Sequence, residues 1–113
     1  YSIWRESIMK KAYSLTSKRE FNDVINKGQK FRSQYLFIST VKSDDFKVGI
    51  SVPKKLGNAV FRNKNKRVVK EIIAMLAPYN IKKHVVIVVK KEFTELSFEL
   101  KRQTLEKDFK KAL

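Results

Sequence analysis

Residues 84–90, HVVIVVK, constrain the fold of this chain more than any other segment. Five apolar residues follow one another without alternation, which is typical of a β-strand covered on both faces. A second strand is predicted at residues 46–52 and a helix between the two strands. Together they predict a βαβ unit with parallel strands. The general preference for such units would make this crossover right-handed.

The other elements complete a single α+β domain in which helices pack on a small mixed sheet, in the order αβ(β)βαβα. Residues 31–41 and 46–52 are rich in β-branched and aromatic residues, and the polar turn KSDD separates them. This pattern predicts an antiparallel hairpin. In its first strand Phe37 and Ser39 share one face, whereas Ile38 and Thr40 share the other.

Two helices are predicted from their caps. Ser17, with Glu20 three residues later, begins a helix at residues 18–27, and Gly28 stands where a left-handed cap would end it. In this helix the apolar residues Phe21, Val24 and Ile25 share one face. Near the end of the chain Ser97 caps a helix whose apolar stripe consists of Phe98, Leu105, Phe109 and Ala112. We interpret that stripe as core packing.

Composition restricts the function. The 113 residues, enough for one domain, carry a net charge of +15, which indicates a polyanionic partner. The lack of Cys excludes disulfides and thiolate chemistry, and a single His excludes an imidazole metal cluster. No stretch resembles a membrane span or a signal peptide, so we expect a cytoplasmic protein. Residues 1–8 are expected to be an extension or an expression remnant, and residues 9–113 the domain.

The positive charge is concentrated at residues 54–70, KKLGNAVFRNKNKRVVK, which contain seven Lys or Arg residues and no acid. Asn58 is the predicted N-cap of a helix that runs to Ala77 and ends before Pro78. Helical spacing separates two arcs on it. The apolar arc contains Val68, Val69, Ile72 and Leu76. The polar arc contains Arg62, Asn63, Lys66, Arg67 and Lys70, with Lys64 displaced from both arcs.

No catalytic constellation accompanies this charge. The acidic residues are scattered along the sequence, and the adjacent pair Asp44 and Asp45 falls in a turn. A two-metal nuclease needs several carboxylates that converge from different elements. His84 stands alone at a strand start and is interpreted as structural. By its own chemistry the chain is expected to bind a nucleic acid and not to cut it.

The segment GISVPKKLGNAVFRNKNKRVVK strongly resembles the signature of the protein component of bacterial ribonuclease P, approximately SKKxGNAVxRNRxKRxxR. The matching residues are Lys54, Lys55, Gly57, Asn58, Ala59, Val60, Arg62, Asn63, Lys66 and Arg67. Lys64 and Lys70 replace arginines, which keeps the charge but loses the bidentate fork, and Pro53 replaces a common Ser. The resemblance extends from about Met9 to the end of the chain.

This resemblance implies a function that composition cannot give. Members of the family bind a large catalytic RNA, and the complex removes the 5′ leader of precursor tRNA by endonucleolytic cleavage. Catalysis and Mg²⁺ belong to the RNA, and the expected partners include neither membrane nor DNA. The family fold also contains a left-handed βαβ crossover, contrary to the general preference stated above.

The resemblance also implies where RNA binds. The basic and amide residues expected to contact RNA are Lys54, Lys55, Asn58, Arg62, Asn63, Lys64, Lys66, Arg67 and Lys70. The expected cleft for the single-stranded leader is formed by Phe21, Ile25, Phe37 and Ser39. Ile25 and Ser39 stand where the family often has aromatic residues, so we expect a cleft that depends less on stacking and more on phosphate contacts.

Three other classes share some of these features. Another small basic RNA-binding protein, such as a ribosomal protein, would have the charge without the motif. A self-sufficient nuclease would need metal-binding carboxylates. A double-stranded DNA binder would need a recognition helix with side chains that read base edges.

Overall fold

The computed structural model describes residue 15, residues 17–76 and residues 81–113. In chain order the elements are α1 (Lys18–Lys27), β1 (Gln29–Arg32), β2 (Leu36–Lys42), β3 (Lys47–Ser51), a 3₁₀ turn (Lys54–Leu56), α2 (Ala59–Leu76), β4 (Lys83–Val89), α3 (Lys91–Thr94) and α4 (Phe98–Ala112). The α+β class is confirmed. The expected extension at residues 1–8 and the expected helix end at Ala77 and Pro78 lie outside the described residues.

β4 lies inside the four-stranded sheet, whose order is β1-β2-β4-β3. Val85, Val86, Ile87 and Val89 are fully buried, which confirms the prediction of a strand covered on both faces. β4 is parallel to β3 and antiparallel to β2. The βαβ unit β3-α2-β4 is therefore confirmed, while its hand stays a prediction.

The hairpin predicted between residues 31–41 and 46–52 is wrong. The chain turns back earlier, so β1 and β2 form the antiparallel pair with Arg32 opposite Phe37. The turn is held by Ser33, whose Oγ accepts the N–H groups of Tyr35 and Leu36 at 3.2 and 3.1 Å. β4 then lies between β2 and β3. This order buries both faces of the most apolar strand and leaves β3 at an edge.

α1 spans Lys18–Lys27 as predicted, but the conformation of its C-cap differs from the prediction. Ser17 Oγ accepts the N–H of Glu20 at 3.5 Å. Gly28 has φ −76° and ψ 162°, so its backbone is extended and the expected left-handed cap is wrong. Glycine is needed there for room, because a Cβ would lie 2.5 Å from Ser39 Oγ and 2.5 Å from the carbonyl oxygen of Val24.

The main core lies between one face of the sheet and helices α2 and α4. It includes Leu36, Ile38, Val48, Val69, Ile72, Ile73, Val85, Ile87, Leu105 and Phe109. Ser97 caps α4 as predicted, by accepting the N–H of Leu100 at 3.4 Å. Phe98 does not join the core, because residues 97–100 of this first turn are exposed and Phe98 is 42% accessible. Phe93 of the unpredicted α3 is fully buried instead.

None of the helices that the structure describes is long and apolar enough to span a membrane.

Candidate nucleic-acid interface

α1 covers one row of side chains on the sheet face opposite the main core. Strand register places Ser39, Val86 and Gly49 side by side across β2, β4 and β3, and all three are buried. The hydroxyl of Ser39 donates a 2.6 Å hydrogen bond to the carbonyl oxygen of Val24 in α1. α1 therefore lies directly on this row, and Ser39 is part of the contact between helix and sheet.

The next row along the strands is open. It consists of Phe37, Val88 and Ser51, which are paired across β2, β4 and β3 and are each half-buried. Arg32 continues the row on β1, because it lies opposite Phe37 and its side chain points to the same face. This row forms a floor beside α1.

At Ser51 the floor opens into a cleft of about 480 Å³ between α1, the end of β3 and α2. Lys18 and Asn22, one helical turn apart, form the edge of α1, and Arg62 and Lys66 form the edge of α2. The full lining is Leu15, Ser17, Lys18, Phe21, Asn22, Ile50, Ser51, Val52, Pro53, Lys54, Arg62 and Lys66.

The cleft is positively charged throughout. Lys18, Lys54, Arg62 and Lys66 lie in its walls, and no Asp or Glu is among the lining residues. Four cations that converge without counter-charge from three chain segments create a strong positive potential in a concave site. The arrangement suits a ligand that carries several negative charges.

Arg62 has an unsatisfied donor in this cleft. Among the side chains of the described residues, Arg62 Nε is the one buried nitrogen or oxygen that has no hydrogen-bond partner. A buried polar group without a partner costs about 1–3 kcal/mol. The Nε–H is itself buried, so an anionic ligand in the cleft would supply its acceptor once the Arg62 side chain turned toward that ligand.

Phe21 connects the cleft to the sheet. It lines the cleft and packs so closely on β3 that a Cβ at Gly49 would lie 2.8 Å from its Cδ2. Part of the ring is therefore a packing contact with the backbone of Gly49. Because Phe21 remains half-buried rather than buried, the ring also presents surface to the cleft.

The other expected cleft residues occupy different places. Phe37 lies on the open floor, with the guanidinium carbon of Arg32 5.4 Å from its ring centroid. Ile25 is half-buried and follows Lys18 and Asn22 at helical spacing, on the same edge of α1. Ser39 is not in the cleft lining, because it is fully buried under α1. The structure thus corrects the placement of Ser39.

The remaining basic-motif residues lie outside the cleft lining. Asn58 caps α2 as predicted, with its Oδ1 accepting the N–H of Phe61 at 2.9 Å. Lys64 lies near Lys101 of α4, whose pKa is lowered by burial first and by the charge of Lys64 second. The exposed residues of the set are Lys55, Asn58, Asn63, Lys64 and Arg67, while Lys70 is half-buried.

Sequence reasoning missed Lys18, Asn22, Ser51 and Arg32. The α1 residues could have been found from the i, i+4, i+7 spacing that joins them to Ile25. Ser51 follows Gly49 by two residues on a strand and therefore shares its face. Arg32 could not have been found, because residues 31–41 were interpreted as one strand and the turn at residues 33–35 was not foreseen.

The acidic residues that the structure describes do not form a group able to hold a metal ion. Nε2 of His84 lies 2.8 Å from Asp45 Oδ1 and 2.9 Å from Ser43 Oγ, so the imidazole ties the β2–β3 turn to β4. This hydrogen bond from His84 lowers the pKa of Asp45. Asp108 of α4 is buried, with 6% of its surface exposed. Among the described residues, no three His, Cys, Asp or Glu side chains form a group able to hold a metal ion.

Comparisons with known proteins agree with this architecture. The model of the ribonuclease P family matches residues 9–113. A ribonuclease P protein component from Mesomycoplasma hyopneumoniae is 43% identical over 105 residues, which cover 90% of this chain and 94% of the relative. One from an Exiguobacterium species is 38% identical over 106 residues, which cover 92% and 93%.

Solved structures show the same fold. A mutant RNase P protein from Staphylococcus aureus, with defective mRNA degradation activity, superposes with a TM-score of 0.83 at 29% identity, covering 96% of this chain and 95% of that one. The RNase P protein from Thermotoga maritima gives a TM-score of 0.75 at 26% identity, covering 83% and 92%.

Proposed function

The chain belongs to the family of ribonuclease P protein components, and we propose that it is the RNA-binding subunit of a ribonucleoprotein that removes the 5′ leader of precursor tRNA. The family match covers residues 9–113. The observation that carries the binding role is the buried, unpartnered Nε–H of Arg62 in a cleft lined by four cations and no acid. A phosphate oxygen is the acceptor that suits this donor.

We assign the cleft to the single-stranded leader. It lies between α1, α2 and the end of β3, with the half-buried Phe21 in its lining and the half-buried Phe37 on the adjoining floor. Aromatic side chains stack on bases with little dependence on sequence, and cations follow the backbone, which suits leaders of varied sequence. With Ser39 buried and an aliphatic side chain at Ile25, phosphate contacts supply the larger share of the affinity.

The structure gives a basis for dividing the basic motif between two RNAs. Lys54, Arg62 and Lys66 line the cleft and are assigned to the leader. Lys55, Asn63, Lys64 and Arg67 are exposed outside the cleft lining and are assigned to the catalytic RNA. Lys70 continues the helical row of Arg62 and Lys66 and extends the leader site, while Asn58 acts by holding the start of α2.

Hydrolysis of the phosphodiester is assigned to the RNA subunit together with Mg²⁺. The part of this chain that the structure describes offers phosphate-binding cations and no group of metal-binding side chains. The protein's contribution is to hold the leader beside the RNA and so to favour precursor over mature tRNA. The precursor tRNA that it acts on implies a cytoplasmic site of action, with no membrane or DNA partner.

Reconstitution tests this function. The protein is mixed with a bacterial ribonuclease P RNA and a leader-bearing precursor tRNA at low Mg²⁺, where neither component is expected to cleave alone. Cleavage at the 5′ end that requires both components supports the proposal. Cleavage by the protein without RNA would identify a nuclease, and failure of the protein to stimulate cleavage would leave the general RNA-binding or DNA-binding alternatives.

Arg62 provides the matched variants. Arg62→Lys keeps the charge and removes the Nε donor and the planar fork, so it is expected to recover part of the affinity that Arg62→Ala loses. Lys107→Ala, which removes one charge from an exposed position of α4, is the control for net charge. Equal losses for all three variants would show that the cleft position of Arg62 has no special role.

A further inference from the structure

The exposed Arg32 and the half-buried Phe37 form a pair at the far end of the open floor. The guanidinium carbon of Arg32 lies 5.4 Å from the centroid of the Phe37 ring, within the range of a cation–π contact. The two residues are directly opposite each other in β1 and β2. Arg32 is exposed, and no ion pair among the described residues involves it. Its outer face and its donors are therefore available to a ligand.

The pair is in line with the basic cleft. Ser51, which lines the cleft, is followed across the sheet by Val88 and Phe37 and then by Arg32. Three strand spacings separate Ser51 from Arg32, about 14 Å in all. A strand of RNA that enters the cleft at α2 can thus cross the floor of the sheet and reach the edge strand β1.

From this geometry we infer that Arg32 and Phe37 together form a stacking platform that takes a nucleobase of the single-stranded RNA beyond the part held in the cleft. The inference rests on the proposed function, because it names a further contact for the same leader. A base would stack on the guanidinium of Arg32, which lies within cation–π range of the Phe37 ring. The guanidinium N–H groups at the rim reach the adjoining phosphate.

The platform compensates for the burial of Ser39. On β2, the row occupied by Ser39 is covered by α1, so no base can stack there. The row of Phe37 is the next one along the strand, and it is open. The base contact on the sheet is accordingly displaced along β2 from the row of Ser39 to the row of Phe37. Arg32, opposite Phe37 on β1, belongs to this binding site although it lies outside the basic motif.

Variants of Arg32 separate stacking from charge. Arg32→Ala is expected to weaken binding of a long-leader precursor tRNA by about three- to fivefold in the reconstituted complex. Arg32→Lys keeps the charge without the plane, and Arg32→Gln keeps a planar group without the charge. We expect Gln to retain more of the leader affinity than Lys. Because residue 32 is exposed, all three proteins should fold, which thermal unfolding verifies.

The decisive measurement uses leaders that carry an abasic site at one position at a time. With the wild-type protein, one position should show a loss of affinity on removal of its base. With Arg32→Ala or Phe37→Leu that loss should disappear, because the partner of the base is already gone. An abasic penalty that is unchanged in Arg32→Ala would overturn the platform.

Two controls isolate the proposal. Mature tRNA, which lacks a leader, should bind equally to wild type and to Arg32→Ala, whereas an equal loss for both substrates would also overturn the platform. Lys107→Ala should bind both substrates as wild type does. If the wild-type complex itself does not prefer leader-bearing over mature tRNA, the proposed function fails. If the wild-type complex prefers leader-bearing over mature tRNA and Arg32→Ala keeps that preference, the platform is wrong but the proposed function stands.

Discussion

The hydroxyl of Ser33 donates a 2.6 Å hydrogen bond to the carboxylate of Asp108, joining the β1–β2 turn to the last helix. Asp108 is 6% exposed, so this carboxylate depends on protein donors rather than on water. The carbonyl oxygen of Ser33 also accepts a 2.6 Å hydrogen bond from Lys90 Nζ at the end of β4. The turn that places Arg32 beside Phe37 is thereby held from two sides, by α4 and by the end of β4.

Ser33→Ala should reduce the free energy of unfolding by about 2 kcal/mol, because it leaves a buried carboxylate without its hydroxyl donor. The same substitution removes the acceptor for the N–H groups of Tyr35 and Leu36. Urea denaturation measures the change. The double variant Ser33→Ala with Asp108→Leu should be less destabilised than the sum of the single variants, since it contains no orphaned charge. Strict additivity would contradict this account.

Gly49→Ala should lower leader affinity without touching a basic residue. Its Cβ would lie 2.8 Å from the Phe21 ring and 3.3 Å from Leu15 Cβ, so the ring and the start of α1 must shift. Overpacking of this kind costs about 1–3 kcal/mol of stability. The preference for precursor over mature tRNA should fall in the reconstituted complex. A variant that loses stability yet keeps the full preference would show that Phe21 serves packing alone.

Lys66→Ala should lower leader affinity and flatten its salt dependence. Loss of one phosphate contact with a single strand reduces the slope of log K against log salt by up to about 0.7. Binding is measured over a series of salt concentrations, with Lys107→Ala as the control that removes one charge outside the cleft. An unaltered slope in Lys66→Ala would remove this residue from the phosphate contacts.

The Asp45–His84 hydrogen bond should make part of the stability depend on pH. This bond lowers the pKa of Asp45 in the folded protein. A lowered folded pKa contributes stability above the unfolded pKa and loses it as the pH falls through the folded value. The difference in melting temperature between wild type and Asp45→Ala should therefore be constant near neutrality and shrink below about pH 4.

Asp44→Ala is the matched control for that measurement, because it removes the neighbouring exposed acid of the same turn. If the difference in melting temperature between wild type and Asp45→Ala grew on acidification, the lowered pKa of Asp45 would be contradicted.

Local signals in the sequence predicted the helices well. Ser17, Asn58 and Ser97 each accept the N–H group of the residue three positions later, as cap residues do. The uninterrupted apolar run of β4 correctly indicated a strand covered on both faces. These features depend on neighbouring residues, so a short window of sequence contains the necessary information.

What the sequence could not give was the pairing of distant segments. The order of strands follows from the free energy of the whole sheet, in which β4 displaces the local hairpin partner of β2. The burial of Ser39 and the exposure of Arg32 depend on where α1 lies, which no local pattern specifies. The basic motif located the α2 side of the cleft, whereas the α1 edge and the position of Arg32 beside Phe37 depended on the whole fold.

The central position of β4 has a consequence for how the protein is made. β2 and β3 have no strand partner in common until residues 83–89 are present, because β4 pairs with both of them. A growing chain that has already exposed its basic helix still lacks the sheet floor on which α1 packs and across which RNA would run. We therefore expect that any selectivity among nucleic acids appears late in synthesis, once β4 has joined β2 and β3. Until then we expect the same lysines and arginines to bind polyanions through charge alone.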